Sequence, residues 1–184
     1  SIDTFHAETM RIVLDENIGM INDISALEYD AQSLSVLAGA SCQICLMHMQ
    51  GTPMTMQANP TYTDVVAEVY EYLARRIDVC MKAGISPERL VIDPGIGFGK
   101  TVEHNIALLQ NLSVFKKLGV SVLLGASRKS FIPKITGRQA VADQRLGGSL
   151  AAVAVAAQQN IDIVRVHDVG ATREFLDVYQ AIHP

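Results

Sequence analysis

Short apolar runs alternate along the chain with longer stretches in which apolar residues recur every three or four positions. The short runs predict strands and the longer stretches predict helices. Strands are predicted near residues 1–3, 19–24, 43–47, 90–93, 120–124 and 161–166. Helices are predicted near residues 7–16, 31–40, 61–83, 103–117, 146–158 and 172–182. This alternation is typical of a parallel α/β sheet, and the uniformly apolar strands indicate that both of its faces are covered.

Two of the predicted helices have informative ends or faces. The segment TDVVAEVYEYLARRIDVCMKAGI carries apolar residues at helical spacing and ends at Gly84, a suitable C-cap. The run AVAVAA near 152–157 is almost entirely apolar, so that helix is expected to be buried on more than one side.

Composition is that of a globular protein with a large interior. The 184 residues suffice for one domain, are 49% hydrophobic and 18% charged, and carry a formal net charge of -4. Such a balance argues against a broad nucleic-acid-binding surface. The longest nearly uncharged stretch contains glycines, two glutamines and Asp162, which favours a buried helix leading into a strand over a membrane span. No signal-peptide pattern is visible. A cytoplasmic location is expected.

The three cysteines predict no redox or metal chemistry. Cys42 and Cys45 form a C-x-x-C pattern, but the pattern runs into an apolar strand, where residues three apart face opposite sides. No second pair exists to complete a zinc site. We therefore expect reduced cysteines in the core, as is usual in the cytosol.

The segment DPGIGFGKT, residues 93–101, ends like a phosphate-binding loop. The pattern G-x-x-x-x-G-K-[ST] requires its first glycine at position 94, where this chain has proline. Proline has no N–H to offer a phosphate. The segment is therefore predicted to be a strand end and a loop, with Lys100 and Thr101 leading into the next helix.

Polar residues cluster where the predicted strands end. In parallel α/β folds ligands bind at this edge of the sheet, so six polar strand ends together predict a binding site. The six are Asp3-Thr4, Asn22-Asp23, His48 to Gly51, Asp93 to Gly95, Ser127 to Lys129 and Arg165 to Asp168.

The chemistry of these side chains suits a flat polar heterocycle with a phosphate tail. Asp93 can accept two parallel N–H bonds from a guanidine-like ring edge, and Asn22 can both donate and accept. Asp3 can act in the same way, and Lys129 adds a mobile cation. Arg165 and His167, two residues apart, project to one side of their strand and suit a phosphate or pyrophosphate. Asp23 and Asp168 are expected to orient loops or cap helices.

Five motifs, in order and at the approximate spacing, closely resemble the dihydropteroate synthase family of folate biosynthesis. They extend from the first third of the chain to residue 169, which makes the resemblance far more specific than any one motif. The motifs are INDIS (21–25), LMHMQGTPMTMQ (46–57), DPGIGFGKT (93–101), GASRKSFI (125–132) and RVHDV (165–169).

The resemblance implies a (β/α)₈ TIM barrel and a transferase reaction. In that reaction 6-hydroxymethyl-7,8-dihydropterin pyrophosphate condenses with 4-aminobenzoate to give 7,8-dihydropteroate and pyrophosphate. It also implies a dependence on Mg²⁺, a site at which sulfonamides compete, and a homodimer. Nucleic acid and membranes are not expected as partners.

The resemblance also implies a role for each matching residue. Asp3, Asn22 and Asp93 would hold the pterin edge, and Met47 would pack on its face. Lys129 would contact the pterin and shape the aminobenzoate site, and with Arg165 and His167 it forms the expected catalytic set. Arg165 and His167 would bind the pyrophosphate. Phe98, Ser127 and Arg128 would lie at the aminobenzoate end.

The family pattern begins with two further strands, the first carrying an Asn-x-Thr-Pro-Asp-Ser-Phe motif that supplies a Mg²⁺ contact; neither is found in this sequence. A closed barrel needs eight strands and typically about 250 residues. We therefore expect residues 1–184 to form one incomplete barrel domain, comprising about the third to eighth βα units, from a longer enzyme. The metal-binding Asn is expected to lie in the absent part.

One other reaction class fits part of the pattern. A pterin-binding methyltransferase barrel could share the Asp and Asn contacts. It would have no pyrophosphate to bind, and Lys129, Arg165 and His167 therefore favour the synthase.

Overall fold

A sheet of six parallel strands in consecutive order forms the centre of the molecule. The computed structural model describes residues 1–183. All six predicted strands are present, with each strand hydrogen-bonded to the next along the chain. The strands are β1 Ile2–Asp3, β2 Met20–Asp23, β3 Gln43–Met47, β4 Leu90–Asp93, β5 Ser121–Leu124 and β6 Ile163–Val164.

Helices connect the strands, as parallel pairing requires. They are α1 Ala7–Leu14, α2 Ser33–Ala38, α3 Val65–Lys82, α4 Val102–Gln110, α5 Leu112–Phe115, α6 Phe131–Thr136, α7 Leu146–Gln158 and α8 Val169–Ile182. Short 3₁₀ turns occupy Pro87–Arg89, Lys116–Leu118 and Ala142–Arg145. None of the helices within residues 1–183 combines the length and apolarity needed to cross a bilayer.

The ends of α3 follow from local hydrogen bonding. The helix begins after Asp64, whose carboxylate accepts the backbone N–H groups of Val66 and Ala67. It ends at Lys82, with Ala83 as the C-cap; the next residue, Gly84, has φ +88°, and the Ile85 N–H returns to the Cys80 carbonyl. This is the geometry of a glycine-terminated helix, and it confirms the end predicted from the sequence.

Two predicted elements differ from the structure. The helix predicted at 103–117 is interrupted at Asn111, which has φ -122°, so α4 and α5 are separate. The strand predicted at 161–166 pairs only over Ile163–Val164. Here the Asp162 carboxylate accepts the Val122 N–H, taking the place of a ladder bond.

The main hydrophobic core lies between the outer face of the sheet and the helices. A second, smaller cluster of Cys45, Val91 and Leu123 lies on the opposite face. Successive strand residues face opposite sides, so Ile44 and Ile92 join the outer core while Cys45 and Val91 face inward. All three cysteines are buried and free, as predicted.

The sheet is curled into part of a barrel. Arg165, just after β6, donates to Asn22 on β2 at 2.7 Å. In a flat sheet these strands would be about 19 Å apart, four spacings of about 4.8 Å, which is farther than one side chain reaches. Within residues 1–183 β1 and β6 are not paired, so the six strands form an open half-barrel.

Candidate active site

A pocket of about 360 Å³ opens inside the curl, at the carboxyl ends of the strands. Strand register explains why distant residues meet there: Asp3 pairs with Asn22, and Met47 pairs with Asp93, all on the inward-facing alternation. Of the ten site residues predicted from the sequence, seven line the pocket: Asp3, Asn22, Phe98, Ser127, Lys129, Arg165 and His167.

Met47, Asp93 and Arg128, the other three, lie beside it. Met47 and Asp93 are 0% and 1% exposed, and Asp93 contacts the pocket through Arg165. The guanidinium of Arg128 binds Asp168.

Asp93 and Asn22 jointly hold the guanidinium of Arg165. One N–H of Arg165 donates to Asn22 Oδ1 at 2.7 Å and another donates to Asp93 Oδ2 at 2.8 Å. The second carboxylate oxygen, Oδ1, accepts the Gly95 N–H at 2.8 Å. The buried charge of Asp93 is thus compensated by a cation and a backbone donor. The sequence did not indicate that Arg165, predicted to bind a phosphate, would contact Asp93 and Asn22, predicted to bind the heterocycle.

Two glycines lie close to other groups of the site. A Cβ at Gly125 would lie 3.0 Å from Arg165 Nη2 and 3.3 Å from Asp93 Oδ2. A Cβ at Gly95, which has φ +72°, would lie 1.9 Å from the His48 carbonyl oxygen. Gly95 therefore excludes a side chain for steric and conformational reasons, whereas a side chain at Gly125 would require the Arg165 guanidinium to shift by a few tenths of an ångström.

Lys129 enters the pocket from the loop after β5. Its ammonium donates to the Ile96 carbonyl at 2.6 Å and lies 4.0 Å from the centroid of the Phe98 ring. Burial lowers the pKa of Lys129 to about 8, although the charge of Asp93 acts in the opposite direction. Lys129 and Phe98, predicted to lie together, are in direct contact.

Lys100 behaves differently from the lysine of a phosphate-binding loop. Its side chain is 3% exposed and donates to the Phe98 carbonyl at 2.9 Å. Its Nζ also lies 3.0 Å from His48 Nδ1 and 3.4 Å from the His48 carbonyl oxygen. Thr101 caps α4 through its hydroxyl, as expected for the entry to a helix. The nucleotide-loop reading of DPGIGFGKT is therefore excluded by the direction of the lysine.

Burial alters the proton affinity of both members of this pair. It lowers the pKa of Lys100 to about 7 and, together with the nearby Lys100 charge, lowers the pKa of His48 to about 3. His48 is thus neutral and can accept from Lys100. Sequence reasoning placed His48 among the polar strand ends and Lys100 at the entry to a helix, but it did not pair them, because they are 52 positions apart.

Two contacts join the loop after β5 to the loop after β6. The Ser127 hydroxyl accepts the His167 backbone N–H at 3.2 Å and lies 3.0 Å from His167 Nδ1. Arg128 binds Asp168 through two N–H groups, at 3.0 and 2.5 Å. Asp168 therefore orients a loop, as predicted, and does so through an ion pair that also lowers the pKa of its carboxyl group.

Asp23 also has the predicted loop-orienting role. Its Oδ1 accepts the backbone N–H of Ser25 at 2.7 Å and the Ser25 hydroxyl at 2.6 Å. Burial raises the pKa of Asp23, with these hydrogen bonds acting in the opposite direction. It faces the helices, because its pairing partner Leu46 belongs to the main core, whereas the neighbouring Asn22 faces inward.

The pocket combines a cationic side with a hydrogen-bonding edge. Arg165, Lys129 and His167 surround it, while Asp93 and Asn22 supply acceptors. Such a site suits a planar ligand that carries N–H donors at one end and an anionic group at the other.

Comparison with known proteins also points to a pterin-binding protein. Residues 1–167 match the model of the pterin binding enzyme family. The dihydropteroate synthase of Haemophilus influenzae is 45% identical over 181 residues, covering 98% of this chain and 65% of that protein. The chain thus spans about two thirds of the length of such curated relatives.

Two solved structures share the fold. Dihydropteroate synthase from Stenotrophomonas maltophilia, with imidazole bound in its active site, superposes with a TM-score of 0.94 at 44% identity, covering 99% of this chain and 68% of that one. The Xanthomonas albilineans enzyme in complex with 7,8-dihydropteroate gives a TM-score of 0.90 at 44% identity, covering 98% and 67%. On the family match and these relatives, the chain belongs to the pterin binding enzyme family.

Proposed function

We propose that this protein is a dihydropteroate synthase. It would condense 6-hydroxymethyl-7,8-dihydropterin pyrophosphate with 4-aminobenzoate, giving 7,8-dihydropteroate and pyrophosphate. The relatives at 44–45% identity carry that enzyme name, and the Xanthomonas protein binds 7,8-dihydropteroate. A pterin edge and a pyrophosphate are also the two ligand features that the pocket matches.

The observation that carries the proposal is the position of the Arg165 guanidinium between Asn22 and Asp93. The 2-amino-pyrimidinone edge of a pterin is a guanidine-like group with parallel N–H donors. Arg165 already presents such donors to Asn22 Oδ1 and Asp93 Oδ2, at 2.7 and 2.8 Å. The place between these acceptors therefore suits a planar guanidine-like group in both chemistry and geometry.

Pterin binding would then exchange one guanidine-like group for another. When the pterin edge enters, the Arg165 guanidinium leaves Asp93 and Asn22, and the acceptors keep their N–H partners. Buried acceptors are costly to leave unpaired, so this exchange is less unfavourable than a simple displacement. The released Arg165, beside His167, would bind the pyrophosphate.

In the proposed reaction, cationic and N–H-donating side chains would lie near the leaving group. The bond between the pterin methylene carbon and the pyrophosphate oxygen breaks, and its electron pair leaves with the pyrophosphate. The aminobenzoate nitrogen bonds to that carbon and then loses a proton. Arg165, His167 and the Lys129 ammonium would stabilise the negative charge that develops on the departing oxygen.

The residues expected at the aminobenzoate end divide into two groups. Phe98 offers its ring to the pocket beside Lys129. Ser127 and Arg128 are already engaged by His167 and Asp168, so we propose that they act by positioning the two loops. Met47, which is buried beside the pocket, and Asp3, which lines it, remain proposed pterin contacts.

Magnesium remains part of the proposal on the resemblance alone. Residues 1–183 contain no group of three or more His, Cys, Asp or Glu side chains that could hold a metal ion. The described residues thus do not fit a protein-held ion by themselves, and no step above is assigned to it. A homodimer is proposed on the same resemblance. A cytoplasmic location also stays a proposal.

The direct test is pterin binding to Asp93→Asn, with Asp78→Asn on the exposed face of α3 as the matched control. An amide oxygen carries less charge and its NH₂ group faces other donors, so calorimetry should show affinity for 6-hydroxymethyl-7,8-dihydropterin reduced about 30-fold or more (about 2 kcal/mol). Wild-type affinity in Asp93→Asn would remove Asp93 from the pterin site. Tight pterin binding without formation of dihydropteroate from both substrates would refute the synthase assignment.

A further inference from the structure

Within residues 1–183 the hydroxyl of Ser127 hydrogen-bonds to one residue, His167. Ser127 is 7% exposed, and its Oγ contacts both the backbone N–H and the ring Nδ1 of His167, at 3.2 and 3.0 Å. No other hydrogen-bond partner of this oxygen is recorded within residues 1–183. Because this hydroxyl contacts both the backbone and the ring of His167, it can fix the orientation and the protonation pattern of that ring.

Counting hydrogens assigns the roles in this pair. The His167 backbone N–H can only donate, so the Ser127 oxygen accepts there. The hydroxyl has one hydrogen, and Nδ1 is the acceptor within reach among the described residues. If Nδ1 carried the ring proton instead, the hydroxyl hydrogen would have no acceptor among the described residues, which is unfavourable for a group that is 7% exposed. The favoured arrangement is therefore O–H donating to an unprotonated Nδ1.

The proton of the neutral ring then lies on Nε2. For that nitrogen the structure of residues 1–183 records no hydrogen bond, while the His167 side chain lines the pocket. Nε2–H is thus available as a donor to a ligand. In the opposite tautomer Nε2 would be a lone-pair acceptor and would repel an anion.

A second contact keeps Ser127 and His167 in register. The adjacent residues Arg128 and Asp168 form a two-bond ion pair between the same two loops. The Arg128 backbone is fixed as well, since its N–H donates to the Ser149 hydroxyl and its carbonyl accepts from Arg145. Arg128 has φ +57°, a conformation that these contacts maintain.

We propose that Ser127 is a positioning residue that fixes His167 in the Nε2-protonated tautomer, so that the ring presents an N–H donor to an anionic group in the pocket. That the anion is a pyrophosphate rests on the proposed function; the tautomer does not. Ser127 acts through His167 and needs no contact with the substrate.

The test reads the tautomer directly. Long-range ¹H–¹⁵N NMR spectra of the imidazole rings would be recorded about two pH units above the ordinary histidine pKa of about 6.5. His167 would be assigned with His167→Gln. Ser127→Ala is compared with Ser127→Thr, which keeps the hydroxyl, and with Ser113→Ala at an exposed position of α5. Affinity for inorganic pyrophosphate is measured on the same samples by calorimetry.

We expect wild type and Ser127→Thr to show His167 with the proton on Nε2, and Ser127→Ala to show a mixture of tautomers. Pyrophosphate affinity should fall roughly fivefold to tenfold in Ser127→Ala only. A wild-type protein with the proton on Nδ1 would overturn the inference, as would a Ser127→Ala protein with unchanged tautomer and affinity. If wild type binds no pyrophosphate, the proposed anion site fails, and the tautomer still decides the role of Ser127.

Discussion

Two lysines lie at the same edge of the sheet, one enclosed by protein groups and the other lining the pocket. Lys100 follows the glycine-rich loop after β4, and Lys129 lies in the loop after β5. Burial lowers the pKa of both, to about 7 and about 8. Lys100 is 3% exposed and bound to His48 and the Phe98 carbonyl, whereas Lys129 lines the pocket. A perturbed pKa therefore does not by itself distinguish a ligand-binding lysine from a structural one.

Phe98 is the residue at which the two loops meet. Its carbonyl oxygen accepts from Lys100 at 2.9 Å, and its ring lies 4.0 Å from the Lys129 ammonium. The backbone of Phe98 thus binds Lys100, the structural lysine, and its ring contacts Lys129, the pocket lysine. This division allows the two roles to be tested separately.

The largest effect is expected for Lys100→Met. Methionine fills the space but leaves the Phe98 carbonyl and His48 Nδ1 without a donor, which should reduce the free energy of unfolding by about 2–4 kcal/mol. Urea denaturation would measure this, with Lys82→Met, at an exposed position of α3, as the control. Wild-type stability in Lys100→Met would show that the buried amine is not a structural centre.

Lys129→Met should show the reverse pattern. Loss of the pocket ammonium should reduce pterin affinity about tenfold (about 1.4 kcal/mol), measured by calorimetry. The free energy of unfolding should change by less than about 1 kcal/mol, because the charge is only half-buried and its contacts lie at the pocket. A large loss of stability with unchanged binding would exchange the roles assigned to the two lysines.

Stability should rise with pH in two windows. The pKa of His48 is lowered from 6.5 to about 3 and that of Lys100 from 10.5 to about 7. Between each pair of values the unfolded chain binds the extra proton, so raising the pH favours the folded state by at most about 1.4 kcal/mol per unit for each group. Lys129, with its pKa lowered from 10.5 to about 8, adds to the alkaline window.

Urea denaturation of wild type and Lys100→Met over a series of pH values checks this expectation. The variant should lose the rise between about pH 7 and 8, where Lys100 titrates before Lys129. Superimposable profiles would mean that Lys100 does not titrate in that range.

The smallest effect is expected for Phe98→Leu. The carbonyl that holds Lys100 stays, and only the ring beneath the Lys129 ammonium is lost. Stability should fall by about 0.5–1 kcal/mol beyond the lost apolar area, and the alkaline rise that Lys100 produces should persist. Loss of that rise would show that the ring, as well as the carbonyl, controls Lys100.

Much of the framework could be predicted from the sequence because it depends on local patterns. Apolar runs located all six strands, and Asn22, Arg165 and His167 were placed together because parallel strands end at one edge. Helix α6 was missed because FIPKIT is short; its proline does not break the helix, since Pro133 lies in the first turn, where proline is tolerated. The break at Asn111 has no marker such as proline or glycine.

The partners of the site residues could not be predicted in the same way. Arg165 and Asn22 are 143 positions apart, and Ser127 and His167 are 40 apart. Nothing in either local sequence specifies the other partner. The ion pair of Arg128 with Asp168 was missed for this reason.

The sequence alone determined the order of strands and helices, the alternation that turns Asn22 and Asp93 inward, and the set of cations and acceptors at the strand ends. These follow from periodicity and from the fixed geometry of parallel strands. The tertiary structure decided where each side chain finds its partner: Lys100 in the core, Arg165 on Asp93, Ser127 on His167. Such choices depend on the curl of the sheet, because buried polar groups take the partners that packing brings within reach.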